Sequence, residues 1–343
     1  MHCPTLKEVP PPPPGKTGWP WTEETAKLPD TMADGSPWPK ISIVTPNLNQ
    51  GRFIEETIRS TILQGYPDLE YIIIDGGSTD GSVDIIKKYE NWLAYWISEP
   101  DKGQSHAINK GFARASGEIY AYINSDDFYE PNAFQIVASL FAKSDKLHLV
   151  AGKCVIFDGD VIKRIFEPGW PERLSYFLEK TYSSTFAQPA SFWSKDIYRQ
   201  VGGLDETLNF CFDREFFLRI GLAGVEPYLL PRKIARFREH SDSKTVAQGV
   251  RFHGESILIL EKHAKSCGIG EKRRRKIAKE ITNEIRYGEV FTTWIKRGRM
   301  AAMREFLSTI CRSPSLIFER KILGQARRLI SFSAKDVDEL KTL

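Results

Sequence analysis

Short runs of apolar, β-branched residues alternate along the chain with segments in which apolar residues recur every three or four positions. The runs predict strands, because a strand buried on both faces of a sheet is apolar at nearly every position. We expect the first strand to stop at Pro46, since proline lacks the N–H that a ladder needs. After it Ile54, Ile58 and Ile62 recur at the spacing of one helix face. The predicted strands are 41–44, 71–74, 95–98 and 119–123, and the helix between the last two is predicted over 104–115.

Strands that alternate with helices predict the α/β class, with a mostly parallel, doubly wound sheet flanked by helices. Beyond about Leu149 the alternation weakens. Further along we expect a hairpin formed by 149–157 and 161–166, a short helix capped by Ser194 that stops at Gly202, and a helix over 213–223.

The composition along the chain divides it into three regions. Residues 1–38 are rich in Pro, Gly and Trp without periodicity, and predict an extended N-terminal arm. Its tryptophans indicate that the arm packs on the body of the protein, because exposed tryptophans are costly. Residues 39–248 form the predicted α/β domain, and 249–343 predict a basic helical extension.

The overall composition narrows the class of protein. The chain has 343 residues, of which 41% are hydrophobic and 27% charged, and this excludes wholesale disorder. No apolar run reaches the roughly 18 residues of a membrane span, and the N-terminus lacks an apolar signal region. The five cysteines are scattered without a C-x-x-C pair, which disfavours a zinc site and favours reduced thiols. We therefore expect a cytoplasmic protein.

Positive charge is concentrated in the C-terminal region. The net charge is only +4, yet 21 basic and 11 acidic residues follow from Arg251 onward. The cluster 272–276 precedes Ile277, Ile281 and Ile285 at helical spacing, so this helix could lie on the inner face of an anionic membrane. The alternative is a packed helical appendage with a solvated basic face. Nucleic-acid binding is not expected, because no recognition module is present.

Acidic residues follow three of the predicted strands, where ligands bind in parallel sheets. Asp75 begins a segment with three glycines in seven residues, which permits close approach of a ligand. Asp101 follows the third strand, and Asp126-Asp127 follows the fourth. Two adjacent carboxylates repel each other unless a cation or a donor lies between them, and Mg²⁺ or Mn²⁺ suits such oxygens. The alternative at each position is an ordinary turn.

The order of these segments resembles family 2 glycosyltransferases of the GT-A fold. The resemblance rests on 44–50, 74–80, 99–104 and 124–127 and covers roughly 40–245. It implies a GT-A domain that inverts the anomeric centre while moving a sugar from a nucleotide-diphosphate donor, with UDP favoured, to an acceptor hydroxyl, assisted by Mn²⁺ or Mg²⁺. By the same resemblance the donor would be contacted by Thr45, Pro46, Asn47, Asp75, Asp101, Lys102, Asp126 and Lys244, and the metal by Asp127 and His240.

The resemblance also implies a general base and an acceptor side. Asp213 matches the family's acidic motif, and an acid among phenylalanines is partly desolvated, which raises its pKa toward a useful value. Glu215 is the rival base, and a helix-start acid is the alternative for Asp213. Gln188 and Trp193 match the acceptor-side loop, where Trp193 could stack on a sugar or simply pack in the core. His106 stands where relatives often carry an acid.

Two other functions compete with sugar transfer. A catalytically silent nucleotide-sugar-binding protein could share this fold, although the acids at Asp75, Asp127 and Asp213 speak against it. A nucleotidyltransferase would need a glycine-rich basic loop after the first strand, and 47–50 is not one.

Overall fold

The computed structural model describes residues 3–179, 185–240, 249–297, 304 and 306–308, without the side chains of 249–251 and 286–297. The chain forms two compact units. The first contains residues 1–177 and 182–241, and the second contains 178–181 and 242–343.

Within the described residues, nine strands form one sheet in the first unit. The strands are β1 Ile41–Asn47, β2 Leu69–Asp75, β3 Tyr95–Ser98, β4 Ile119–Tyr122, β5 Phe128–Tyr129, β6 Leu149–Asp158, β7 Val161–Phe166, β8 Ser191–Ser194 and β9 Tyr228–Arg238. The helices are α1 Ile54–Ile62, α2 Ser82–Lys88, α3 Gln104–Phe112, α4 Ala133–Phe141, α5 Tyr176–Glu179, α6 Lys195–Val201, α7 Phe212–Leu222, α8 Gly249–His263 and α9 Glu271–Arg297.

The sheet is parallel in one half and mixed in the other. The strand order is β3-β2-β1-β4-β8-β6-β9-β5, with β7 paired on β6. The first four strands are parallel, as the sequence predicts, whereas β8 runs antiparallel to both β4 and β6. The register brings Asn47 beside Asp75 and Asp75 beside Ser98. The polar residues that follow these strands therefore share one edge.

The prediction that Pro46 ends the first strand is wrong. β1 continues to Asn47, with Pro46 opposite Ile74 of β2. Asn47 accepts a hydrogen bond from the β2 side, so the neighbouring Pro46 faces the β4 side. Pairing with β4 has already ended at Val44, and no ladder bond requires the missing N–H.

Most other predicted elements are confirmed. Ile54, Ile58 and Ile62 are at most 1% exposed, and each contributes roughly 1.5–3 kcal/mol by burial. β6 and β7 form the expected hairpin. The Ser194 side chain caps α6 by accepting from the Ile197 N–H at 3.2 Å, and the helix ends at Gly202. α3 stops at Phe112, three residues before its predicted end.

The N-terminal arm is held by one buried arginine. Arg59 of α1 is fully buried and donates to the carbonyl oxygens of Pro10, Pro20 and Trp21 at 2.8–3.1 Å. Trp21 is 6% exposed, in agreement with an arm that packs on the domain. Arg59 lies in the middle of a helix, and its sequence position gave no sign of this role.

The second unit buries the apolar stripe that suggested membrane contact. Ile277 and Ile281 of α9 are 0% and 2% exposed. Arg274 pairs with Glu261 and Glu271, so the basic cluster has acidic partners of its own. This arrangement favours the packed appendage over the membrane-lying helix. In the described part of the chain, no helix combines the length and apolarity needed to cross a membrane.

Candidate functional site

Asp75 holds the loop after β2 rather than facing solvent. The residue is 0% exposed, and its two carboxylate oxygens accept hydrogen bonds from Asn47 Nδ2, Ser98 Oγ, the Gly77 N–H, and the N–H and Oγ of Ser78 at 2.5–3.1 Å. Burial acts to raise the pKa of Asp75, but the hydrogen bonds from Ser78, Ser98 and Asn47 outweigh it and the pKa lies below its usual value. In this structure Asp75 therefore shapes the loop, and its direct contact with the nucleotide stays a prediction.

Thr45 and Pro46 are also inaccessible. Thr45 is 0% exposed and its Oγ1 lies 3.0 Å from the Tyr71 hydroxyl, while Pro46 is buried in the strand. β1 is covered on both faces, so neither side chain is exposed, and their contact with the donor stays a prediction. Asn47 is 3% exposed and keeps a buried Oδ1 without a hydrogen-bond partner among the described residues.

The accessible groups on this edge lie above the glycine loop. Leu48 is 55% exposed, Asp101 is half-buried, and Lys102 is exposed. A Cβ on Gly76 would lie 2.8 Å from Asp101 Oδ2 and 3.4 Å from Leu48 Cδ1, so only glycine allows this approach. Asp101 and Lys102 thus lie on the accessible side of the glycine loop, and their contact with a donor stays a prediction. Leu48 is an apolar neighbour to which the motif assigned no role.

The adjacent acids after β4 occupy different environments. Asp127 is 1% exposed; its Oδ1 accepts from the Arg238 N–H at 2.9 Å and its Oδ2 from Asn124 Nδ2 at 3.3 Å. Burial, and then the negative charge of Asp126, raise the pKa of Asp127 well above its usual value. Asp126 is the more accessible acid, with an 18% exposed side chain and Oδ2 3.0 Å from His240 Nε2.

His240 lies between an acid and a base. Its Nδ1 is 3.2 Å from Arg52 Nη2, and its ring lies 4.9 Å from that of Phe53. Because a guanidinium only donates, this contact makes Nδ1 an acceptor and leaves the proton on Nε2, facing Asp126. Sequence reasoning did not single out Arg52, which is 188 residues from His240.

Arg238 fixes the geometry of this corner. Its Nε donates to the Asp126 carbonyl at 3.0 Å, and its Nη2 lies 2.6 Å from Glu56 Oε2. Its guanidinium also lies 4.7 Å from the Phe53 ring centre. The arginine therefore joins the end of β9 to the loop after β4 and to α1.

Asp126 and His240 form the pair of side chains best placed to hold a divalent cation. They offer one carboxylate and one imidazole, whereas both Asp127 oxygens already accept hydrogen bonds in a buried position. Asp126 is thus the more accessible carboxylate of the two, whereas metal binding by Asp127 stays a prediction. Among the described residues no group of three or more His, Cys, Asp or Glu side chains could hold a metal. Lys244 lies outside the described residues.

The two candidate bases, Asp213 and Glu215, differ in their exposure. Asp213 lies half-buried in the first turn of α7. Glu215 is 0% exposed and forms a 2.8 Å ion pair with Arg219, which also donates to the carbonyl oxygens of 201–203. A carboxylate that is enclosed with its own arginine cannot meet an acceptor, so the accessible acid of this helix start is Asp213.

Asp213 and Asp127 both act on one buried tyrosine. Tyr122 of β4 is fully buried, and after burial itself the negative charges of Asp213 and Asp127 raise its pKa well above its usual value. Both charges therefore act on one phenol at the end of β4. The segment before α7 is anchored on α3, where Asn109 bonds both backbone polar groups of Leu204 at 2.8–2.9 Å. His106 lies on the same helix, and its buried Nδ1 makes no hydrogen bond with the described residues.

Both residues predicted on the acceptor side, Gln188 and Trp193, are buried. Gln188 is 8% exposed and donates to the Tyr122 carbonyl at 2.6 Å, so it supports the end of β4. Trp193 is 0% exposed and packs against Phe112, Phe216 and Phe217 at ring distances of 5.1–6.1 Å. Trp193 is a core residue, and the expectation that it stacks on a sugar is corrected.

Comparisons with known proteins agree with this architecture. The model of "Glycosyl transferase family 2" matches residues 42–202. An uncharacterized glycosyltransferase of Mycobacterium tuberculosis is 32% identical over 204 residues, which cover 58% of this chain and 75% of that protein. One of Nostoc sp. is 36% identical over 109 residues, 31% of this chain and 34% of that protein. The chain thus spans about a third of the Nostoc relative.

Solved structures show the same fold at low identity. Staphylococcus aureus TarS 1–349 in complex with UDP-GlcNAc has a TM-score of 0.55 at 16% identity and covers 79% of each chain. The mannosyltransferase PcManGT of Pyrobaculum calidifontis, in complex with GDP-Man and Mn²⁺, has a TM-score of 0.52 at 16% identity and covers 98% of this chain and 86% of that one. These likenesses confirm the GT-A fold, and the Mycobacterium relative and the family model together show that the chain belongs to glycosyl transferase family 2.

Proposed function

We propose that this protein transfers a sugar from a nucleotide-diphosphate donor to an acceptor hydroxyl, with inversion at the anomeric carbon and with the help of Mn²⁺ or Mg²⁺. The observation that carries the proposal is the Asp126–His240 pair, 3.0 Å apart at the carboxyl end of β4 in a family 2 chain. The similar structures hold UDP-GlcNAc or GDP-Man, and we favour a UDP-sugar as the donor.

The donor set of Asp126 and His240 fits a hard or borderline divalent cation. Carboxylate oxygen and imidazole nitrogen are both ligands of Mn²⁺, so Asp126 and His240 would hold the cation. When bound, it would neutralise charge on the leaving diphosphate. Arg52, beside His240, adds a fixed positive charge in the same corner.

The remaining residues position the donor and the acceptor. Asp75 and Gly76 shape the loop on which the nucleotide would lie, with Asp101 and Leu48 beside it. Asp213 would accept the proton of the acceptor hydroxyl as its oxygen attacks the anomeric carbon. The bond from that carbon to the diphosphate oxygen breaks on the opposite face, and the nucleoside diphosphate leaves.

Asp213→Asn tests the base. The amide keeps the shape of the side chain but cannot take the proton, so transfer should fall by roughly 10²–10⁴-fold. Release of UDP from a panel of UDP-sugars with Mn²⁺, with and without acceptor, measures this. Donor affinity should stay near that of the parent, since the donor groups lie on other elements.

Glu206→Gln is the matched control. Glu206 is an exposed acid on the loop before α7 and should leave the rate within about twofold. Near-parent transfer by Asp213→Asn would contradict the assignment of the base. A chain that binds UDP-sugars but never releases UDP would instead support the alternative, a catalytically silent nucleotide-sugar-binding protein.

A further inference from the structure

A cavity of about 510 Å³ lies in the first unit, on the segment between β7 and β8. Its described lining includes two aromatic side chains, Trp170 and Tyr176, and the charged side chains of Glu167, Glu172 and Arg173. A concave site that combines aromatic surface with a few polar groups is the usual form of a small-molecule site. None of these residues belongs to the donor corner described above.

Trp170 gives this cavity a rigid wall. Phe186 lies nearly parallel to the indole at 6.0 Å, and Phe177 packs edge-on at 5.6 Å. The ring is only half-buried, and its exposed part lines the cavity. An indole that is held by neighbouring aromatic rings and partly exposed toward the cavity is a flat apolar surface of the kind that the C–H face of a sugar ring covers.

Polar groups in the wall suit hydroxyl groups. Glu172 is exposed, and Glu167 is held by Lys153 at 2.9 Å, so the wall offers carboxylate acceptors as well as the donors of Arg173. The Oγ1 of Thr185 is buried in this wall and has no hydrogen-bond partner among the described residues. An unpartnered buried hydroxyl is a position that a polar ligand would satisfy.

The cavity is connected to the helix that carries Asp213. A Cβ on Gly221 would lie 3.1 Å from the Trp170 ring, so the glycine admits the indole against the C-terminal half of α7. Phe186 packs on Phe217 of the same helix at 4.3 Å. Gly221 is eight residues beyond Asp213, about 12 Å along the helix axis, which is farther than one sugar ring reaches.

We propose that this cavity is an acceptor subsite that binds a sugar ring of an oligosaccharide, more than one ring away from the hydroxyl that reacts. The inference rests on the proposed function. It identifies the acceptor class as an oligosaccharide rather than a free monosaccharide, with Trp170 as the stacking surface and Glu172 as a hydroxyl partner.

Binding of the full-length protein to a glycan array tests the subsite without donor turnover. The parent should bind glycans of three or more units and not monosaccharides. Trp170→Ala should weaken that binding about tenfold, as expected when an aromatic anchor of a site is removed. Glu172→Gln should weaken it about threefold, since the amide keeps one acceptor oxygen.

Trp170→Phe keeps an aromatic ring against Phe186 and is the control for folding, with binding between those of the parent and Trp170→Ala. UDP release with Mn²⁺ is measured on the parent and on every variant. If the parent released no UDP, this would count against the proposed function and not against the subsite. Absence of glycan binding, or equal binding by the parent, Trp170→Phe and Glu172→Gln, would overturn the proposal.

Discussion

The acids after β2 and after β4 lie on the same edge of one sheet, yet their surroundings differ. Asp75 is enclosed by hydroxyl and N–H donors, which hold its pKa below the usual value despite burial. Asp127 is equally enclosed, but its neighbour is a second carboxylate, and burial together with the charge of Asp126 raises its pKa. The carboxylate after β2 is thus satisfied by donors of the protein, whereas the two carboxylates after β4 lie side by side and repel each other.

This difference separates structural acids from acids that await a ligand. The oxygens of Asp75 are used within the protein, so its contribution is the shape of the loop that follows. Adjacent carboxylates in low dielectric are costly unless a cation or proton lies between them. In the proposed function a cation lies beside the pair after β4, and Asp126 is the member of the pair that is accessible to it.

The largest effect on donor binding is expected when the acids after β4 are replaced, one at a time, by asparagine. Asp126→Asn removes an anionic ligand and should weaken Mn²⁺-dependent donor binding by more than about 100-fold. Asp127→Asn can keep its Oδ1 bond from the Arg238 N–H, so it should cost about tenfold or less. Calorimetric titration of UDP with and without Mn²⁺ measures both.

Each of these two variants is the control for the other, because the positions are adjacent and receive the same substitution. If Asp127→Asn lost the Mn²⁺ effect while Asp126→Asn retained it, the metal would belong to Asp127 after all. Equal affinity with and without Mn²⁺ in the parent would remove the cation from the proposed function.

Asp75→Asn tests the stability that the hydrogen bonds to the acid after β2 contribute. The amide nitrogen would face groups that donate to the carboxylate, among them the Ser78 N–H and Ser98 Oγ. Hydrogen bonds to a charged group contribute about 1.5–3 kcal/mol each, so the free energy of unfolding should fall by about 3 kcal/mol. Urea unfolding measures this, with Asp127→Asn as the control, since this variant loses one 3.3 Å bond from Asn124 but also removes the charge beside Asp126, so its loss of stability should be smaller. Equal losses in both variants would contradict the distinction between the two ends.

Local pattern was sufficient to predict the parallel half of the sheet. Each of its strands is a continuous apolar run, and the periodicity of α1 switches clearly from that of β1. The mixed half was harder to predict from the sequence, because β8 is only four residues long and its place between β4 and β6 depends on pairing between residues that are far apart in the chain.

The candidate site was predicted in its location but not in its roles. The sequence places Asp126 and Asp127 at a strand end, yet the residue that buries one of them, Arg238, is 111 residues away from Asp127. The burial of Trp193 likewise depends on Phe216 and Phe217 of a later helix. Residue type and spacing identify which groups can do chemistry, whereas exposure is decided by tertiary contacts.

The smallest expected effect is a pH dependence that belongs to Asp75 alone. Its pKa is lower in the folded protein than the usual aspartate value of about 3.9, so below about pH 4 the unfolded chain binds more protons than the folded one. Stability from this carboxylate is therefore fully present at neutral pH and is lost as the pH falls through the folded-state pKa. Asp75→Asn cannot titrate, so the stability difference between parent and variant should be constant from pH 7 to about pH 5 and should narrow below about pH 4. Urea midpoints measured in parallel over this range test the sign, because a difference that widened toward low pH would mean that the hydrogen bonds around Asp75 favour its protonated form.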